Sequence, residues 1–269
     1  MKRSINALLA VTILFAACSS PKKAESTASI ANNGKVWASI WQQRAAEYKA
    51  LCFQAYNMAK LRLDEALKNP GVKPLAVVTD IDETVLDNSP YDAMRAANNQ
   101  EYSLATWKTW TAKAAADTVP GAPAFFKYAA SKGVAVFYIT NRDEDERGGT
   151  IKNLQRYNMP NTDNEHVLLR QNTSSKESRR QQVLKNYNIV LLCGDNLPDF
   201  DASYDNKPNE PNRQAATEKL KREYGNKYIV IPNPSYGDFE GALFNYNYKL
   251  SGAQKDSIIR TKVKADKQY

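Results

Sequence analysis

Between Val36 and about Lys68 apolar residues return at helical spacing. Trp37, Ile40, Trp41, Ala45, Tyr48, Leu51, Cys52, Tyr56, Ala59 and Leu63 recur at that spacing, which predicts one long amphipathic helix or two joined end to end. Asn69, Pro70 and Gly71 then stop it. Beyond that stop the pattern changes. Short apolar runs at 74–79 (PLAVVT), 134–140 (VAVFYIT), 166–170 (HVLLR), 188–193 (NIVLLC) and 228–232 (YIVIP) read as strands, and residues 121–132, 144–158, 176–187 and 211–224 read as helices between them. Buried strands alternating with helices predict an α/β fold with a mostly parallel sheet covered on both faces. One connection breaks the rhythm, because about 35 residues follow the first strand before the ordinary alternation resumes, too many for a plain loop. Its composition, with YDAMRAANNQ and LATWKTWTAKAAA, is helical. Residues 88–119 are therefore expected to form a small helical cap inserted over the sheet edge. The last stretch, from 246 to 269, reads as a polar terminal helix with a frayed end.

The chain opens differently. Lys2 and Arg3 precede the apolar run Ile5 to Ala17, which ends at Cys18, the order of a secretory leader. Thirteen apolar-run residues fall short of the roughly 20 that a membrane-spanning helix needs, so removal is expected over retention. The segment LFAAC resembles a bacterial lipobox, which makes Cys18 the expected site of lipidation and the new N-terminus. The following polar stretch, SSPKKAESTASIANNG, lacks a periodic pattern and reads as a tether. The expected organisation is a leader at 1–17, a lipidated tether at 18–35, a helical segment contributing to the cap at 36–73, a core at 74–87 and 120–245, the cap at 88–119 and the terminal helix and tail at 246–269.

Loss of the leader removes Lys2 and Arg3 and takes the formal net charge from +8 to +6. No block of basic residues reaches the concentration of a nucleic-acid stripe, so a nucleic-acid polymer is disfavoured as a partner. The single histidine, His166, excludes histidine triads, multi-histidine zinc sites and two-histidine phosphatase chemistry. Cys52 and Cys193 read as buried thiols, with their pairing left open.

Parallel sheets bind ligands beyond the carboxyl ends of their strands, and those ends carry a coherent set. Asp80 and Asp82 follow the first strand, Thr140, Asn141 and Arg142 the second, and Asp195, Asn196 and Asp199 the fourth; Lys176 opens the helix after the third. Converging carboxylates repel and stay ionised only beside a cation. Oxygen ligands without histidine or cysteine select a hard divalent ion, with Mg²⁺ the usual companion of phosphate. A carboxylate beside such an ion can attack phosphorus, while hydroxyl, amide and ammonium groups hold the phosphoryl oxygens. In an extended segment residues two apart face one side, so Asp80 and Asp82 suit the pairing of a nucleophile with a proton donor.

The remaining charges have plainer readings. Asp87 is expected to cap or turn, and Glu83 to position the loop. The run Arg142 to Arg147 reads most simply as a solvated helix start, His166 as structural, and Trp107 with Trp110, three apart on a cap helix, as packing.

DIDET, ITNR, SSKESRR and GDNLPDF, taken in order with LDNSPY, WKTW, VPGA and IPNPSYGDFEG, resemble the haloacid dehalogenase (HAD) superfamily of phosphatases, and among them the secreted class C acid phosphatases, some of which are outer-membrane lipoproteins with 5'-nucleotidase activity. The resemblance implies a HAD-like Rossmannoid parallel sheet flanked by helices, with a smaller helical cap. It implies Asp80 as nucleophile and metal ligand, and Asp82 as acid/base that also binds metal through its backbone carbonyl. Thr140, Asn141 and Lys176 are implied as phosphate-binding residues, Lys176 also neutralising charge during catalysis. Asp195 is implied as the third metal-binding residue, with Asp199 supporting it from behind. Tyr91, Trp107 and Tyr236 match positions that stack on a substrate ring. One Mg²⁺ per site is the implied cofactor and a phosphate monoester such as a nucleoside monophosphate the implied substrate. The implied setting is the bacterial outer membrane, reached through the N-terminal lipid; a homodimer stays open. Two other functions compete: a surface lipoprotein that binds haem or a host ligand on the same scaffold, and phosphotransfer to an alcohol in place of water.

Overall fold

A computed structural model describes residues 29–266; the leader, Cys18 and most of the tether lie outside them. Helix α1 (Ile30–Arg44) begins where Ser29 accepts the Asn32 amide at 3.1 Å, several residues before the predicted start. Its buried face carries Asn32, Ser39 and Gln42 beside Ala38, so no apolar periodicity announces the first turns. Extended Ala45 separates it from α2 (Ala46–Ala66), which buries Tyr48, Cys52, Tyr56, Ala59 and Leu63 along one face at the spacing of helical neighbours.

Strand β1 (Leu75–Thr79) follows, buried at every position. The insertion then opens with β2 (Leu86–Asp87), continues through α3 (Ser89–Ala97) and α4 (Leu104–Ala112), and closes with β3 (Asp117–Thr118). β2 and β3 pair antiparallel, Leu86 opposite Thr118 and Asp87 opposite Asp117, so the two ends of the cap are stapled together. Two residues per strand are too few for a periodic signal, and the composition of this segment predicts only helix. Asp87 behaves as expected, accepting the Ser89 amide at 2.8 Å at the start of α3.

The core resumes with α5 (Ala122–Ser131), β4 (Ala135–Asp143), α6 (Arg147–Arg156), β5 (Val167–Arg170), α7 (Glu177–Asn186), β6 (Asn188–Gly194), α8 (Glu210–Lys219) and β7 (Tyr228–Val230). α5 starts after Gly121, where φ is +89° and a Cβ would stand 3.0 Å from the Tyr56 ring, so the position has room for no larger residue. The five core strands form one parallel sheet, as the apolar runs predict, and their order is β5-β4-β1-β6-β7. β1 alternates between two cores: Leu75 and Val77 pack on the α2 and α5 side, Ala76 and Val78 on the α7 side. Because β1 is central, its tip has β4 on one flank and β6 on the other.

Two helices complete the described residues, α9 (Asp238–Leu243) and α10 (Gly252–Lys262). α10, the polar terminal helix that the sequence predicts, docks through its first turns: Asp256 accepts the Ile30 amide at 2.9 Å, and Lys255 pairs with Glu101 of the cap at 2.9 Å. Cys52 and Cys193 are buried free thiols. Among the described residues no helix is long and apolar enough to cross a membrane.

Candidate active site

The site is built on the tip of β1. The Asp80 amide makes the last bond to β6, donating to the Cys193 carbonyl at 2.9 Å. The chain then turns within five residues, as the Val85 and Leu86 amides both return to the Ile81 carbonyl at 2.8 Å. Glu83 takes the left-handed conformation there, φ +55°, a cost that a surrounding structure must hold in place. Its buried carboxylate supplies the hold by accepting the Asn88 amide at 2.7 Å and the Tyr236 hydroxyl. From behind, the Tyr56 hydroxyl of α2 donates to the Thr84 carbonyl at 2.6 Å. Glu83 is thus a loop-positioning residue, as expected. Burial, then the nearby Asp92, Asp82 and Asp195, push its carboxyl well above the ordinary range.

Three loops and one helix start converge on Asp80. Lys176, at the start of α7, is buried between Asp80 and Asp199 and donates to Asp80, with Asp199 at 2.6 Å. Asp195 stands beside them, steadied by Thr84 at 3.1 Å and Asn233 at 2.8 Å. Oxygens of Asp80, Asp195 and Asp199 lie within 4.8 Å of one another. The close fold-back of this loop depends on Gly194, where a Cβ would stand 2.5 Å from that of Asp199. Burial raises the Asp80 carboxyl to about 7, with Lys176 opposing and Asp199 and Asp82 adding to the shift. Burial, then Asp199 and Asp80, also raises Asp195. Burial alone would lower the Lys176 ammonium, but Asp199 and Asp80 outweigh it and hold it charged. Three carboxyl groups around one ammonium, two of them raised for want of positive charge, offer the oxygen donors that suit a hard divalent cation. Asp199 is more than a support in this geometry, since it shares Lys176 with Asp80 and joins the carboxylate cluster.

The predicted phosphate residues divide. Asn141 is exposed on the cavity wall, its Oδ1 accepting from Arg179 Nη2 at 2.8 Å. Thr140 is fully buried, and its Oγ1 accepts the Arg142 amide at 3.1 Å. Arg142 corrects the sequence reading outright. Placed in a solvated charge run, it is instead 2 % exposed and forks onto Asp82, Nη2 to Oδ1 at 2.7 Å. The same run buries Glu146, which accepts from Thr111 at 2.9 Å. Asp82 lies outside the carboxylate cluster and lines the same cavity as Asp80.

Tyr91, Trp107 and Tyr236 all line the same cavity of about 720 Å³ that holds Asp80, Asp82, Lys176 and Asp195. Tyr91 and Trp107 meet edge to face, centroids 5.3 Å apart, so they form one wall. Tyr236 stands on the loop after β7 with its hydroxyl tied to Glu83. Trp110 is structural, its indole N–H donating to Asn88 at 2.8 Å. His166 bonds Asp163 at 2.8 Å and does not line the cavity. Asn88, Arg179 and Asn233 escape the sequence reading. Asn233 has a usable signal, because it follows the fifth predicted strand just as the acidic groups follow the others.

The family model of the acid phosphatases of HAD superfamily subfamily IIIB matches residues 10–239. Among solved structures, the class C acid phosphatase from Bacillus anthracis is similar at 42 % identity and a TM-score of 0.84, over 88 % of this chain and 99 % of that one. The same enzyme with tungstate bound is similar at 41 % identity and a TM-score of 0.83, with the same coverage.

Proposed function

Because this chain belongs to the acid phosphatases of HAD superfamily subfamily IIIB, and so hydrolyses phosphate monoesters, we propose that it does so through an aspartyl-phosphate on Asp80, with Mg²⁺, on nucleoside monophosphates and related esters at the bacterial cell envelope. The observation that carries this reading is the burial of Lys176 between Asp80 and Asp199 with Asp195 alongside. Asp80 attacks phosphorus as the bond to the leaving oxygen breaks, and Asp82 gives that oxygen a proton. A water then attacks the same phosphorus, Asp82 takes its proton, and the Asp80–phosphorus bond breaks to restore the carboxylate and release phosphate. Lys176 and the Asn141 amide hold phosphoryl oxygens, with Thr140 fixing the strand tip beneath them. Asp80 and Asp195, with Asp199 in reach and the Asp82 carbonyl, would hold one Mg²⁺, which supplies positive charge against the phosphoryl oxygens. Trp107, backed by the buried Tyr91, and Tyr236 offer ring faces to an aromatic leaving group, and such stacking tolerates many bases.

The test is phosphate release from a nucleoside monophosphate panel by protein beginning after Cys18. Removing divalent ions with a chelator is expected to lower turnover at least about 100-fold, and Mg²⁺ to restore it. Chelator-insensitive turnover would sink the metal-dependent reading. For the envelope assignment, Cys18→Ser is expected to move the full-length protein from the detergent phase to the aqueous phase on partitioning, since acyl chains gain about 0.8 kcal/mol per buried methylene. Absence of acyl-chain mass on the N-terminal peptide of the mature wild-type protein would rule out a lipid at that residue.

A further inference from the structure

We propose that Arg142 is a positioning residue for the leaving group: it occupies one oxygen of Asp82 so that the other carries the transferable proton. The inference rests on Asp82 as the proton donor of the reaction above.

The hydrogen bonds to Asp82 are unequal. Oδ1 accepts from Arg142 Nη2 at 2.7 Å, from Arg142 Nε at 3.1 Å and from Asn88 Nδ2 at 2.9 Å. Among the described residues Oδ2 receives only the shared Nε, at 3.2 Å. A carboxylate oxygen has about two lone-pair sites, so three donors saturate Oδ1 and leave it no place for a proton. Oδ2 has that place, on a side chain that lines the catalytic cavity. The guanidinium is itself held. Nη1 donates to Thr150 Oγ1 at 3.1 Å, Thr150 passes its own hydrogen to the Glu146 carbonyl at 2.9 Å, and the Trp107 ring of the cap lies 5.7 Å from the guanidinium carbon. A buried planar fork in a fixed frame imposes direction as well as charge, which an ammonium cannot do.

In the step concerned the proton leaves Asp82 Oδ2 for the ester oxygen as the phosphorus–oxygen bond breaks. The alcohol departs neutral and Asp82 remains as a carboxylate. An alkyl leaving group needs that proton, whereas nitrophenolate departs without it. Misdirecting Asp82 therefore discriminates between leaving groups, an effect that simple loosening of the fold does not produce.

The experiment is rapid-quench measurement of the first turnover of Mg²⁺-loaded enzyme, comparing a nucleoside 5'-monophosphate with p-nitrophenyl phosphate, for Arg142→Lys, Thr150→Val and the reference variant Asp82→Asn. Arg142→Lys is expected to slow the first turnover about 100-fold on the nucleotide and about threefold on the aryl ester. Thr150→Val should show the same bias at about fivefold, because it removes only the brace. If Asp82→Asn discriminates while Arg142→Lys slows both substrates alike or neither, the Arg142 role is overturned and the acid/base reading stands. If Asp82→Asn itself fails to discriminate, the acid/base reading falls and the inference with it. Should Arg142→Lys not fold, the folded Thr150→Val protein decides, and equal rates on both substrates relative to wild type would overturn the proposal.

Discussion

Asp80→Asn is expected to lower turnover at least about 10⁴-fold, the scale on which removal of a nucleophile acts, while the melting temperature stays level or rises. The amide cannot form the acyl phosphate, and no neighbouring group takes its place: Asp195 and Asp199 lie on a different strand tip, committed to Thr84, Asn233 and Lys176. Stability follows from the charges. In the free protein burial, against the pull of Lys176 and with Asp199 and Asp82 adding to it, raises the Asp80 carboxyl to about 7. Replacing it by a neutral amide relieves that repulsion, and Lys176 keeps Asp199 at 2.6 Å, so no charge is orphaned. Active-site substitutions of this kind commonly trade activity for stability. Steady-state assays and thermal melts of the same preparation check both halves. More than about 1 % of wild-type turnover, well above the loss expected for a nucleophile, would remove Asp80 from that role.

Lys176→Met is expected to act on the same pair with the opposite sign in stability. Removing the single ammonium leaves Asp80, Asp195 and Asp199 within 4.8 Å of one another with no cation between them. Breaking a buried ion pair by deleting one partner costs about 3–5 kcal/mol, which in a domain of this size lowers the melting temperature by about 10 °C in metal-free buffer. Mg²⁺ should recover part of the loss, since a ligand that binds only the folded state stabilises it by mass action. Turnover should fall about 10³-fold, because a donor aimed at developing phosphoryl charge is lost in a recess of low dielectric. Melts of wild type and variant with and without Mg²⁺ test the electrostatic account. A variant as stable as wild type without metal would show that Lys176 does not neutralise the cluster.

Much of this architecture is legible along the chain. Five apolar runs form five parallel strands in one sheet, and Asp80, Asp195 and Lys176 are found by looking just past the strand ends. The rule works because a parallel sheet aligns all its carboxyl ends on one edge, so residues far apart in sequence but alike in position are brought together. The start of α1 is not legible, because the face it buries is made of Asn32, Ser39 and Gln42. Two of those find partners only after folding: Asn32 donates to Asn99 at 2.6 Å across 67 residues, and Gln42 accepts from Ser235 at 2.6 Å across 193 residues.

Arg142 marks the boundary between the two kinds of information. Its local sequence, followed by Asp143, Glu144, Asp145 and Glu146, is that of a solvated helix start. Its place at the tip of β4 carries it inward to Asp82, 60 residues away, under a cap whose Trp107 covers it. The order of strands and helices and the chemical types at the strand tips belong to the chain, because both are set by spacing within a few residues. Which of those charged groups are buried, and which carboxylate each cation meets, is settled only in the closed fold. Burial and pairing arise from surfaces that touch only when the sheet, the stapled cap and the terminal helix have closed over one another.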